Sequence, residues 1–171
     1  IFGCSNAFGV GVDDADTIST RLSKILNRPV INLGAGGTSM IFSLHNSIIL
    51  HKGYPTPKAI IQMWPDYRRC TEYKRNEIFS HGGWTMEENN LMDVWNRDQN
   101  NPKTHAWFTH IISKQLWSDR TVYFEVTYNL DTAKLLKCHH AHESDLARDL
   151  MHPGPNSSQE TAELIARNLK I

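Results

Sequence analysis

Short apolar runs alternate with amphipathic helical stripes along this chain, and few architectures satisfy both patterns at once. Pro29–Leu33 (PVINL), Lys58–Met63 (KAIIQM) and Thr121–Val126 (TVYFEV) read as buried strands, the last rich in β-branched and aromatic residues. Ile1-Phe2 reads as the end of a strand whose start is missing, and Leu135–Cys138 as a short fifth strand. Asp16 or Thr17 is placed to cap a helix with Ile18, Leu22, Ile25 and Leu26 on one stripe. Thr38 or Ser39 precedes a second helix carrying Ile41, Leu44 and Ile48. Ser157-x-x-Glu160 is a capping box expected to open a last helix with Ala162, Ile165, Ala166 and Leu169 inward. The alternation predicts a three-layer α/β/α sandwich, with a mostly parallel sheet of about five strands in flavodoxin-like order. Sheets of this kind bind ligands at the carboxyl ends of their strands.

The length of 171 residues suits one domain with a full core and is too short for two ordinary ones, so residues 1–171 are expected to form a single domain. With 18 basic and 18 acidic side chains, the chain lacks the cationic excess that nucleic acid or an anionic membrane surface demands. No segment reaches the apolar length of a membrane span; the richest, Met40–Leu50, is interrupted by Ser43, His45, Asn46 and Ser47. No signal peptide is visible. Three cysteines, with no C-x-x-C pair, make a disulfide framework unexpected and favour a reducing, cytoplasmic setting.

The third and fourth strands are separated by more than an ordinary crossover. Residues 67–119 hold two helical patterns, one from Thr85-x-x-Glu88 to Trp95 and one from Pro102 to Trp117. Four tryptophans, Trp84, Trp95, Trp107 and Trp117, lie here. The segment is expected to pack as an enlarged helical crossover, or to form a cap over a substrate pocket.

Chemistry concentrates in the turns expected at the sheet's carboxyl edge. Gly3-Cys4-Ser5-Asn6 follows the first strand, Gly34–Ser39 the second, and Trp64–Arg69 the third. Asp149-Leu150-Met151-His152-Pro153 stands before the last helix. A serine hydroxyl needs a base to become a nucleophile. A neutral imidazole supplies one near pH 7, and a carboxylate fixes its tautomer. Ser5, His152 and Asp149 offer these three parts, the last two from one tight loop.

In order and placement these blocks resemble the SGNH or GDSL-type esterases and lipases, from residue 3 to residue 155. Gly3-Cys4-Ser5-Asn6 resembles the first block, G-D-S, with Cys4 in place of Asp. Asn32–Ser39 resembles N-x-G-x-x-G-x-[ST], and Asp149–Pro153 resembles the final D-x-x-H-P. The resemblance implies that the Ser5 and Gly37 backbone N–H groups hold the oxyanion. It also implies a third block, G-x-N-D, whose Asn completes the oxyanion hole. Here Met63-Trp64-Pro65-Asp66 stands in that place, and Pro65 has neither a side-chain donor nor an N–H. Losing one such donor typically costs ~2.7–4 kcal/mol of transition-state stabilisation. Trp64, Arg68 and Arg69 are the candidate replacements, as oxyanion or substrate contacts.

Other chemistries fit less well. Gly34–Ser39 fails the dinucleotide fingerprint, because its third glycine would fall on Ser39, and no Gly-Lys-[Ser/Thr] makes it a P-loop. Gly3–Ala7 is one residue short of the G-x-S-x-G elbow. Cys138-His139-His140-Ala141-His142 contains metal-ligating types without the usual converging partner segment and reads as a solvated loop. Cys4 reads as a small buried hydrophobe. The expectation is therefore hydrolysis of a small-molecule or carbohydrate acyl ester, acetyl or short-chain, with no cofactor and no metal. The competing expectation is a weak or inactive relative serving as a binding or structural module.

Overall fold

The first strand, β1 (Phe2–Gly3), is only two residues long, yet it is the middle of the arrangement that positions the Ser5 turn. In the computed structural model, which describes residues 1–74, 77–82, 100–118 and 121–169, β1 pairs in parallel with β2 (Leu33–Gly34) and β3 (Ala59–Met63). On the far side of β3 come β6 (Val122–Thr127) and then β7 (His139–His140), both parallel. The sheet order β2-β1-β3-β6-β7 is the flavodoxin-like order, and the sheet is parallel throughout. The chain leaves β1 toward β2 on one side and returns to β3 on the other. That reversal makes the carboxyl end of β1 the topological switch point of the sheet, and there Ser5 begins the short helix α1 (Ser5–Phe8).

Helices cover both faces. On one, α2 (Ile18–Leu26) and α6 (Pro155–Leu169) pack Ile18, Leu22, Ala162, Ile165 and Leu169 against Ile61, Met63, Phe124 and Val126. Burying each larger side chain is worth about 1.5–3 kcal/mol. On the other, α3 (Met40–Gly53) and α4 (Asn100–Trp117) enclose Phe2, Ile60 and Trp117, while Met40, Trp64 and Ala106 meet Leu136 of α5 (Leu130–Leu136). The Trp117 indole donates to Ser47 Oγ at 2.6 Å, which allows a polar ring edge to sit in this layer. Among the described residues, no helix is long and apolar enough to cross a membrane.

Several local expectations need correction. The second strand is confined to Leu33–Gly34, because Pro29 and the residues after it run outside the ladder. Ile25 is 43% exposed rather than inward. The buried stripe of α3 is Met40, Ser43, Leu44 and Ser47, with Ile41 and Ile48 at its margins. Leu135–Cys138 is not a strand: Asn129 caps α5 by accepting the Thr132 N–H at 2.8 Å, and the edge strand follows at His139. The crossover is not wholly helical, since β4 (Cys70–Lys74) and β5 (Glu77–His81) form an antiparallel hairpin. Its helix α4 starts at Asn100, with Pro102 tolerated in the first turn. The helix expected over 85–95, with Trp84 and Trp95, lies outside the described residues.

The last helix also starts differently. Asp145, from the preceding loop, accepts the Asn156 and Ser157 N–H groups at 2.9 and 2.7 Å, so the cap comes from eleven residues upstream. Ser157 lies inside the helix, where its Oγ accepts the N–H groups of Ser144 and Asp145 at 2.9 and 3.0 Å. Desolvation alone would raise the Asp145 pKa, but the hydrogen bonds from Ser157 and Asn156 outweigh it and hold the carboxyl below the usual range.

Candidate active site

The turns after β1, β2 and β3 open on one edge of the sheet, as parallel pairing requires. Ser5 directly follows this edge and is 5% exposed. Its carbonyl accepts the Gly9 and Val10 N–H groups at 2.9 and 3.1 Å, which folds the chain back tightly after α1. The second turn closes against it. Asn32 Nδ2 donates to Ala7 O at 2.7 Å, and Asn32 Oδ1 accepts the Gly34 N–H at 2.9 Å. Gly34 must lack a Cβ here, because one would lie 2.7 Å from the Phe8 nitrogen and 2.9 Å from Ala7 Cβ. The Ala35 N–H donates to Gly3 O at 3.0 Å. Asn32 of the second block is thus a structural clasp between the two turns. The Ser5 and Gly37 backbone N–H groups donate to no acceptor among the described residues. Both are therefore available to a ligand oxygen.

Asp149 and His152 form the expected pair. His152 Nδ1 lies 2.5 Å from Asp149 Oδ2, while Asp149 Oδ1 accepts the Met151 and His152 N–H groups at 3.0 and 3.1 Å. The hydrogen bond from the Met151 N–H, then that from the His152 ring, holds the Asp149 carboxyl below the usual range. An ionised Asp149 assigns the ring proton to Nδ1 and leaves Nε2 as the acceptor. This loop rests on the turn that follows α1. The Arg148 N–H donates to Gly11 O at 3.2 Å, and the Arg148 guanidinium pairs with Asp13 at 3.0 Å. Gly11 has φ +81°, and a Cβ there would lie 2.8 Å from Ala147 Cβ and 3.0 Å from Asp149 Cγ. The turn that follows α1 and the Asp149–His152 loop are therefore packed together at Gly11. Among the described residues no hydrogen bond joins Ser5 Oγ to His152 Nε2.

The three candidate donors after β3 separate clearly. The Trp64 indole is 1% exposed, and its N–H donates to Glu125 Oε1 at 2.9 Å in the layer below the edge. That commits it elsewhere. The signal for this was invisible in the sequence, because Glu125 reaches Trp64 only through the β3–β6 register. Glu125 Oε1 is also 2.7 Å from His110 Nδ1, so a buried Trp-Glu-His cluster underlies the site. Arg68 forks onto Asp66, with Nη2 2.7 Å from Oδ2, and stacks over Tyr67. Arg69 Nη1 donates to Thr38 O at 3.2 Å, which puts its guanidinium on the turn carrying Gly37.

The Cys138–His142 segment does not converge. His139 stacks on Phe124 with centroids 4.6 Å apart, and His140 Nε2 lies 3.1 Å from Tyr128 O. Burial pushes the Cys138 thiol up to about 12. Among the described residues no three His, Cys, Asp or Glu side chains are grouped to hold a metal ion. Cys4 is 1% exposed.

In comparisons with known proteins, no family model matches this chain, and no curated protein does either.

Proposed function

We propose that this chain is a serine hydrolase of acyl esters. The observation that carries the reading is the Asp149–His152 pair, held 2.5 Å apart on a loop packed at Gly11 against the turn that follows α1, the helix that Ser5 begins. Ser5 Oγ attacks the ester carbonyl carbon while His152 Nε2 takes the hydroxyl proton. The oxyanion of the tetrahedral intermediate accepts hydrogen bonds from the Ser5 and Gly37 N–H groups. The C–O bond to the alcohol breaks, and His152 returns its proton to the leaving oxygen. Water then attacks the acyl-serine with His152 again as base, releasing the acid and restoring Ser5. Asp149 stays ionised throughout and steadies the imidazolium. The substrate class is a small or carbohydrate ester with an acetyl or short acyl group, and this scheme uses no cofactor.

A second reading is a module that keeps the fold without turnover. Pro65 in the place of a donor side chain favours it. One experiment separates the two: treatment with an alkyl fluorophosphonate, followed by mass mapping, alongside 4-nitrophenyl acetate hydrolysis. The hydrolase reading expects label on Ser5 and turnover that Ser5→Ala removes. An unlabelled, inactive parent supports the binding module instead.

A further inference from the structure

The segment inserted after β3 makes two contacts with the turn that carries Gly37. Arg69 Nη1 donates to Thr38 O at 3.2 Å, and the Thr71 hydroxyl is hydrogen-bonded to the fully buried Ser39 hydroxyl. From the opposite side, Ala35 N–H is tied to Gly3 O at 3.0 Å, and Thr38 Oγ1 donates to Ala35 O at 2.9 Å. The turn is thus gripped upstream by β1 and downstream by the insertion. A peptide unit is planar, so fixing the Thr38 carbonyl fixes the whole 38–39 plane. Only the soft torsions of Gly37 and Thr38 remain between that plane and the Gly37 N–H. Gly37 has φ +71°, and its own N–H donates to no acceptor among the described residues.

We propose that Arg69, assisted by Thr71, is a positioning residue for the oxyanion turn. The inserted segment then holds Gly37 mechanically, where a donor side chain at residue 65 would have bound the oxyanion directly. A planar guanidinium suits this task, because its fork fixes direction as well as charge. The inference rests on the hydrolase reading above.

The test uses the full chain and the variants Arg69→Ala, Arg69→Lys and Thr71→Val, with kcat and KM on 4-nitrophenyl acetate and Tm by calorimetry. Arg69→Ala is expected to lower kcat by about ten- to a hundredfold, the scale of a displaced catalytic group, and to leave KM nearly unchanged. Added guanidinium chloride, at concentrations well below denaturing, is expected to restore part of the lost kcat. Thr71→Val is expected to fall in the same direction by less. Should Arg69→Ala fail to fold, Arg69→Lys carries the test, since it keeps the charge and loses the fork. A folded variant with the parent kcat, or a loss that follows Tm alone without guanidinium rescue, overturns the inference. If the parent is labelled and active while Arg69→Ala is unaffected, this inference alone falls. If the parent is neither labelled nor active, the hydrolase reading falls and takes this one with it.

Discussion

Substituting Gly11 tests the packing of the Asp149–His152 loop against the turn that follows α1. An alanine Cβ would lie 2.8 Å from Ala147 Cβ and 3.0 Å from Asp149 Cγ. Carbon atoms rest about 3.5–4.0 Å apart, so the Asp149–His152 loop must retreat by roughly 1 Å. The left-handed backbone at φ +81° adds a cost of about 1–2 kcal/mol for a residue with a Cβ. Overpacking adds about 1–3 kcal/mol. The sum, roughly 2–5 kcal/mol, stays within the stability of an ordinary domain and lowers Tm by about 2–4 °C per kcal/mol. A catalytic group displaced by 1 Å loses about a hundredfold in rate. Gly11→Ala should therefore remain folded at low temperature with kcat down by about two orders of magnitude and KM little changed. Gly53→Ala is the matched control, since a Cβ at the end of α3 meets nothing within 4 Å. It should be neutral or stabilise the chain by up to about 1 kcal/mol, with unchanged kcat. The measurements are steady-state hydrolysis of 4-nitrophenyl acetate and thermal unfolding by circular dichroism. A folded Gly11→Ala protein that turns over at the parent rate would refute the view that this contact aligns base and nucleophile.

Ser5→Ala should abolish ester hydrolysis while leaving unfolding stability within about 1 kcal/mol of the parent, and equal turnover would remove Ser5 as nucleophile. Because His152 takes the Ser5 proton in this scheme, His152→Asn should lower kcat about as far as Ser5→Ala does, and parent turnover in that variant would exclude it as base. The Asp145 carboxyl has a depressed folded pKa, so its contribution to stability is present above the usual carboxyl range and is lost as pH falls through the lowered value. Asp145→Asn should therefore flatten the acid side of a Tm-against-pH curve, and an unchanged acid limb would contradict the capping role. Glu125→Leu leaves the buried Trp64 N–H unpaired and should cost about 1–3 kcal/mol in denaturant unfolding.

The parts of this structure legible in the sequence are those with local causes. The α2 stripe, the apolar run of β3 and the Asp149–His152 pair all depend on residues within a few positions of each other. Ala162, Ile165 and Leu169 were legible as the inner face of the last helix for the same reason. What escaped depends on distant partners. Asp145 caps α6 from another loop, so the local Ser157-x-x-Glu160 pattern pointed three residues too far along. Trp64 looked like an available donor because Glu125 meets it only across the β3–β6 ladder. In Cys70–His81 the strand formers Thr71 and Tyr73 alternate with Glu72 and Lys74, but Ile78 and Phe79 stand side by side, so the period-2 signal is too short to stand out. Serines 43 and 47 hid the buried stripe of α3, since both are polar by type yet buried, Ser47 as the acceptor of the Trp117 indole.

The bond between Arg148 and Gly11 spans 137 positions of the chain. Closing so long a loop is slow relative to forming local helices, so the two halves of the site meet late in folding. During synthesis the Ser5 turn emerges long before the Asp149–His152 loop, so the packing at Gly11 waits until that distal loop docks. The same separation makes the protein divisible. A fragment carrying the Ser5 turn and the first three sheet strands, mixed with one carrying β6 to α6, should recover function only through reassembly, which turns ester cleavage into a reporter of completed folding.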